Sequence, residues 1–93
     1  MSIVIIGGHD RMVSQYNNIC KSHNCKMKLF TQIPSRFKEQ IGCPALIVLF
    51  TSTVSHKMVI TAVEHAKKNN VAVVRSHSSS GSALKEILDT YIQ

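Results

Sequence analysis

Ala45-Leu46-Ile47-Val48-Leu49-Phe50, followed at once by Thr51-Ser52-Thr53-Val54-Ser55-His56, is the stretch on which the fold turns. Six consecutive apolar residues without polar alternation predict a strand buried on both faces. Three hydroxyl residues, Thr51 to Thr53, stop it and offer helix caps. From about Ser55 to Lys68, Val59, Ala62, Val63 and Ala66 then recur at helical steps. A strand with no solvent face, leading into an amphipathic helix, is the unit from which parallel sheets covered on both sides are built. This strand is therefore expected at the centre of the sheet.

The same unit recurs on either side of it. Ile3 to Ile6 is rich in β-branched residues and is stopped by Gly7-Gly8, so it reads as a buried strand. Met12, Val13, Tyr16, Ile19 and Cys20 follow at helical spacing, with Asp10 as the expected N-cap and an end near His23-Asn24. In Lys26 to Phe30, Met27 and Leu29 alternate with Lys26 and Lys28, which predicts an edge strand with one exposed face. Pro34 fits the first turn of a short helix carrying Phe37 and Ile41. Asn69-Asn70 reads as a left-handed stop before a fourth strand, Val71 to Val74. Ser78-Ser79-Ser80-Gly81 opens a last helix with Leu84, Ile87, Leu88 and Tyr91. Strands near residues 2–6, 26–30, 45–50 and 71–75, alternating with helices, predict an α/β three-layer sandwich. Its four-stranded parallel sheet should have the order 2-1-3-4, a small Rossmann-like or flavodoxin-like domain.

Length and composition agree with one domain over residues 1–93. The hydrophobic fraction of 44% is that of a globular chain. A chain this short buries about 60–65% of its unfolded surface, so a ligand is expected in a surface crevice or between subunits. The longest apolar run is too short to span a bilayer, and Met1 to Ile6 reads as a strand rather than a signal peptide. Cys20, Cys25 and Cys43 cannot all pair within one chain, and reduced thiols in the cytoplasm are expected. The net charge of +6 favours anionic partners.

In such a sheet the loops at the carboxyl ends of the strands share one edge, and ligands bind where strand order reverses. For order 2-1-3-4 that place is between the first and third strands. The candidate ligand-binding residues are Gly7, Gly8, His9 and Arg11 on one side and Ser52, Ser55 and His56 on the other. Arg75, His77, Ser78, Ser79 and Ser80 close the third side. Glycines bring backbone N–H groups and a helix start close to an anion. An ordinary strand-to-helix turn explains the glycine pair equally well, since neither Gly-x-Gly-x-x-Gly nor a P-loop is present. Serines at a helix start can wrap a phosphate, although capping needs only one of them. His56 is the favoured single residue, with capping or packing at the helix start as the plainer role.

The first functional reading is thus a binding or regulatory module for a small phosphate- or nucleotide-like ligand. The alternative is a metal- or haem-binding protein using His56 with His9 or His77, since imidazole suits zinc, iron or copper. No His-x-x-x-His or Cys-x-x-Cys spacing supports it locally. An enzyme ranks third: Asp10 is the one acid at the crevice, and helix capping accounts for it. His23 and His65 are expected to face solvent. Basic residues are scattered, without a stripe of interleaved aromatics, which argues against nucleic acid. Met12, Tyr91 and Ile92 add apolar character to the first and last helices, and a homodimer is expected.

The opening strand with Gly7-Gly8, the central strand followed by Val54-Ser55-His56, and the closing strand with its serine-rich turn at Ser76 to Ser80 form a further pattern. In these marks the chain resembles an uncharacterised bacterial family, domain of unknown function 2325, over nearly its whole length. Many members carry an arginine directly after the glycine pair. Here His9 takes that place and Arg11 stands two residues later. The resemblance implies a Rossmann-like fold and no established activity.

Overall fold

A computed structural model describes residues 1–92. Four strands, β1 (Ser2–Ile6), β2 (Lys26–Phe30), β3 (Leu46–Phe50) and β4 (Ala72–Ser76), form one sheet of order β2-β1-β3-β4. All three pairings are parallel, with Ile3 beside both Met27 and Leu46, and Val48 beside Val74. The helices are α1 (Val13–Ser22), α2 (Phe37–Ile41), α3 (His56–Asn69) and α4 (Gly81–Tyr91).

Side chains alternate across each strand, so the sheet supplies two cores. On one face Ile3, Ile5, Leu46, Val48 and Phe50 meet Tyr16 and Cys20 of α1 and Leu84 and Leu88 of α4. On the other, Val4, Ile6, Ile47 and Leu49 meet Phe37 and Ile41 of α2 and Met58, Ala62 and Ala66 of α3. Every residue of β3 is buried, which is why its sequence shows no alternation. β2 runs exposed and half-buried by turns until Phe30, as an edge strand should.

Three of the sequence expectations need correction, two of them at helix starts. Pro34 lies outside α2, which begins only at Phe37. Arg36 precedes it in the left-handed region, at φ 56°, and a helix cannot extend back through that conformation. Asp10 does not cap α1. It opens a 3-10 turn, Asp10–Met12, and its carboxylate accepts a hydrogen bond from Thr31 Oγ1 at 2.7 Å instead. Nor do His23 and His65 simply face solvent. His23 Nε2 lies 2.7 Å from Asp89 Oδ1, joining the end of α1 to α4, and His65 Nε2 lies 2.6 Å from the Gly42 carbonyl. The remaining caps follow the sequence. Ser55 Oγ accepts from Met58 N–H, Ser80 Oγ accepts from Ala83 N–H, and Asn70 ends α3 at φ 55°.

Candidate functional site

The carboxyl ends of β1, β3 and β4 deliver three loops to one edge of the sheet: Gly7–His9, Thr51–Ser55 and His77–Ser80. Strand order reverses between β1 and β3, so the first two loops flank the switch point.

That switch point is laced shut by the chain itself. Gly7 (φ 104°) and Gly8 (φ 79°) turn through a region that L side chains rarely enter. The Gly7 N–H donates to the Phe30 carbonyl at 2.8 Å, and the Gly8 N–H donates to Thr53 Oγ1 at 2.6 Å. Thr53 in turn donates to the Phe50 carbonyl at 3.0 Å. Both glycine amides therefore have acceptors within the chain. The glycines also allow close packing: a Cβ on Gly7 would stand 2.7 Å from Val54 Cγ1, and one on Gly8 would stand 2.6 Å from the Tyr16 hydroxyl.

Tyr16 completes the closure. Its ring is fully buried against Phe50, with centroids 5.5 Å apart, and its hydroxyl donates to the Ser79 carbonyl. Burial pushes the Tyr16 hydroxyl pKa up, and the bond to Ser79 partly opposes that shift. The serine loop is thereby fastened to α1 beneath it. Sequence periodicity placed Tyr16 in the core but gave no sign of this bond, because the partners lie 63 residues apart. Thr53 could have been singled out as the hydroxyl nearest the glycine loop across the reversal, but nothing local distinguishes it from Thr51 or Ser52.

The other candidates divide into those already bonded and those left at the surface. Ser55 and Ser80 cap helices. Ser76 Oγ donates to the Ser78 carbonyl and Ser78 Oγ to Ser80 Oγ, so the serine run is largely bonded to itself. His9, Arg11, Ser52, His56, Arg75 and His77 are exposed. The edge thus presents cationic and imidazole side chains around the starts of α3 and α4. Its one acid, Asp10, is bonded to Thr31. Among the described residues, no three His, Cys, Asp or Glu side chains are grouped so that they could hold a metal ion. His9, His56 and His77 are therefore not assembled into a three-ligand set within one chain. Four grooves on the surface are lined by other segments, and Arg75 is the one candidate residue that borders any of them. None of the helices among the described residues is long and apolar enough to cross a membrane.

Comparison with solved structures supports the fold. A de novo designed Rossmann fold protein superposes with a TM-score of 0.64 at 12% sequence identity, covering 96% of this chain and 94% of that one. At that identity the likeness concerns the backbone plan alone. No curated protein matches the chain. The model of a bacterial family described as uncharacterised conserved protein, DUF2325, matches residues 2–91, with the glycine pair, the Val-Ser-His step and the serine turn all inside the match, and the chain belongs to that family.

Proposed function

We propose that this chain is a binding module that takes a small anionic ligand, phosphate- or nucleotide-like, on the carboxyl edge of its sheet. One observation carries the reading: exposed His9, Arg11, His56, Arg75 and His77 share the edge at which α3 and α4 begin. A helix start keeps backbone N–H groups without intrahelical partners and a partial positive charge. Anions are favoured there, by typically about 0.3–1 kcal/mol per nearby negative charge. The glycine amides serve the closure of the switch point. The ligand therefore lies on the rim, held by side chains and helix starts, rather than in a crevice between β1 and β3.

Thermal unfolding in the presence of inorganic phosphate and of ATP tests this. A ligand at a hundred times its dissociation constant adds about 2.7 kcal/mol to stability, a rise in melting temperature of about 10 °C or more for a chain of this size. His56→Ala should remove most of that rise while leaving the unliganded protein within about 1 kcal/mol of its parent, as for other exposed substitutions. A melting temperature indifferent to both ligands defeats the reading.

A further inference from the structure

Met12 and Ile92, expected at a subunit contact, pack on the chain's own core. Half-exposed apolar side chains gather instead between α3 and β4. A groove of about 540 Å³ runs there, bordered by Val63, Lys67, Asn70, Val71, Val73 and Arg75. It lies open because β4 is an edge strand with no further strand beside it. The buried stripe of α3 is Met58, Ala62 and Ala66, which share a core with β1 and β3. Val63 stands on the flank of that stripe and stays half-buried, as do Val71 and Val73.

Alternate residues of a strand share a face. Val73 pairs with Ile47 and Arg75 with Leu49, both from the core beneath α3, so Val73 and Arg75 lie on the α3 side of β4. From Val71 to Arg75, four steps of about 3.3 Å give the groove a floor about 13 Å long. Its chemistry is graded along that length. The valines make the floor, and Arg75 stands at the carboxyl end, where the proposed anion site begins. Lys67, in the last turn of α3, and Asn70 stand at the other end. No acid borders the groove, and among the described residues neither Arg75 nor Lys67 belongs to an ion pair. Asn70 ends α3 through its backbone, at φ 55° with its N–H on the Ala66 carbonyl, which leaves the side-chain amide to the groove. An apolar floor with a few polar groups at defined places, in about 300–1,000 Å³, is the usual form of a small-molecule site.

We infer that the ligand of the carboxyl edge is a nucleoside phosphate, with its phosphate at Arg75 and its base laid along the groove on Val63, Val71 and Val73. The inference rests on the anion reading above and narrows it. A base is a flat body with two apolar faces and a polar rim. Its face suits the valine floor, whereas inorganic phosphate would leave those valines in water. Its rim suits Asn70, whose amide offers a donor and an acceptor side by side, the pattern that pairs with the N6/N7 edge of adenine. Lys67 supplies further donors at the same end.

Chemical-shift titrations with inorganic phosphate, adenosine and AMP, at one ionic strength, test the assignment. AMP should bind about tenfold more tightly than phosphate. It should also move the amides of Val63, Asn70, Val71 and Val73, which phosphate leaves in place. Adenosine should move the same amides at higher concentration. Asn70→Gly keeps a residue suited to the left-handed end of α3 and removes the amide. It should weaken AMP by about fivefold and leave phosphate binding unchanged, whereas Arg75→Gln should weaken both. Phosphate binding with AMP no tighter, or an AMP footprint confined to the rim, overturns the inference and leaves the anion reading standing. An AMP affinity untouched by Asn70→Gly overturns it as well. Adenosine binding as tightly as AMP puts no phosphate at Arg75 and has the same consequence. A protein that binds neither phosphate nor AMP defeats both readings.

Discussion

Gly8 and Tyr16 are the residues on which the site edge depends most closely. Gly8 adopts φ 79°, and a Cβ there would lie 2.6 Å from the Tyr16 hydroxyl and 3.0 Å from its ring. The ring cannot retreat, because it is fully buried against Phe50. Gly8→Ala combines backbone strain with overpacking, and a loss of about 2–4 kcal/mol follows from the usual cost of each. In a chain of this length that is a fall of about 10 °C or more in melting temperature. Tyr16→Phe should cost about 1 kcal/mol by itself, the net worth of the hydrogen bond to Ser79. The two substitutions should not add: Gly8→Ala should be milder in the Tyr16→Phe background, where the nearest clashing atom is gone. Additive losses in calorimetry would show that the hydroxyl is not what Gly8 accommodates.

At the scale of elements, α1 and α4 are joined at their far ends by His23 and Asp89. His23 Nδ1 lies 2.9 Å from the Ile19 carbonyl while Nε2 lies 2.7 Å from Asp89. With an acceptor at each nitrogen, the doubly protonated ring suits the place. The Asp89 hydrogen bond first, and the Ile19 carbonyl second, hold the His23 pKa above its ordinary value. Desolvation and Lys85 pull the other way. A raised folded-state value means that the contact is fully stabilising below the ordinary histidine pKa and is lost as pH rises through the folded one. Asp89 is well exposed, so the effect is small, within about 1 kcal/mol. The stability gap between the parent and His23→Gln should therefore be wider near about pH 5.5 than near about pH 8.5, pH values on either side of the ordinary histidine pKa. A gap that widens toward high pH would contradict the assignment. None of this was visible in the sequence, where His23 is one more polar residue at a helix end and Asp89 lies 66 residues away. The strands were legible because burial on one or both faces writes directly into hydropathy: β3 reads as a solid apolar run and β2 as an alternation. Ser55, Asn70 and Ser80 were legible because a cap involves neighbours only. Asp10 and Pro34 misled because each has a good local role that a tertiary contact or a left-handed neighbour displaced. The carboxyl edge was located by strand order, but its closure by Tyr16 and Thr53 depends on pairings between distant loops.

For the molecule as a whole, the two buried cysteines, with exposed Cys43 as the reference, report how the core beneath α1 opens. Cys20 and Cys25 are buried and Cys43 is exposed, all as free thiols. Burial, with a smaller contribution from Cys25, pushes the Cys20 thiol up to about 11. A thiol reacts as its thiolate, so Cys20 is protected twice, by access and by protonation. Iodoacetamide should label Cys43 alone in the native protein and reach the other two only through opening of the core beneath α1. Their labelling rates should track global stability, and rapid labelling of all three under native conditions would place the α1 face outside the cooperative fold. Strand order also bears on how the chain is made. Synthesis proceeds from the amino end, and domains acquire structure as segments emerge. β1 emerges first yet lies between β2 and β3, so it gains its two neighbours in turn as the next forty-odd residues appear, with α3 still to come. Three of the four strands can then pair before β4 and α4 have been translated. Ser79 reaches Tyr16 only after β4 has emerged. On the ribosome, the latch over the site edge is therefore one of the last contacts to form, and a chain released early would carry a nascent sheet without a closed rim.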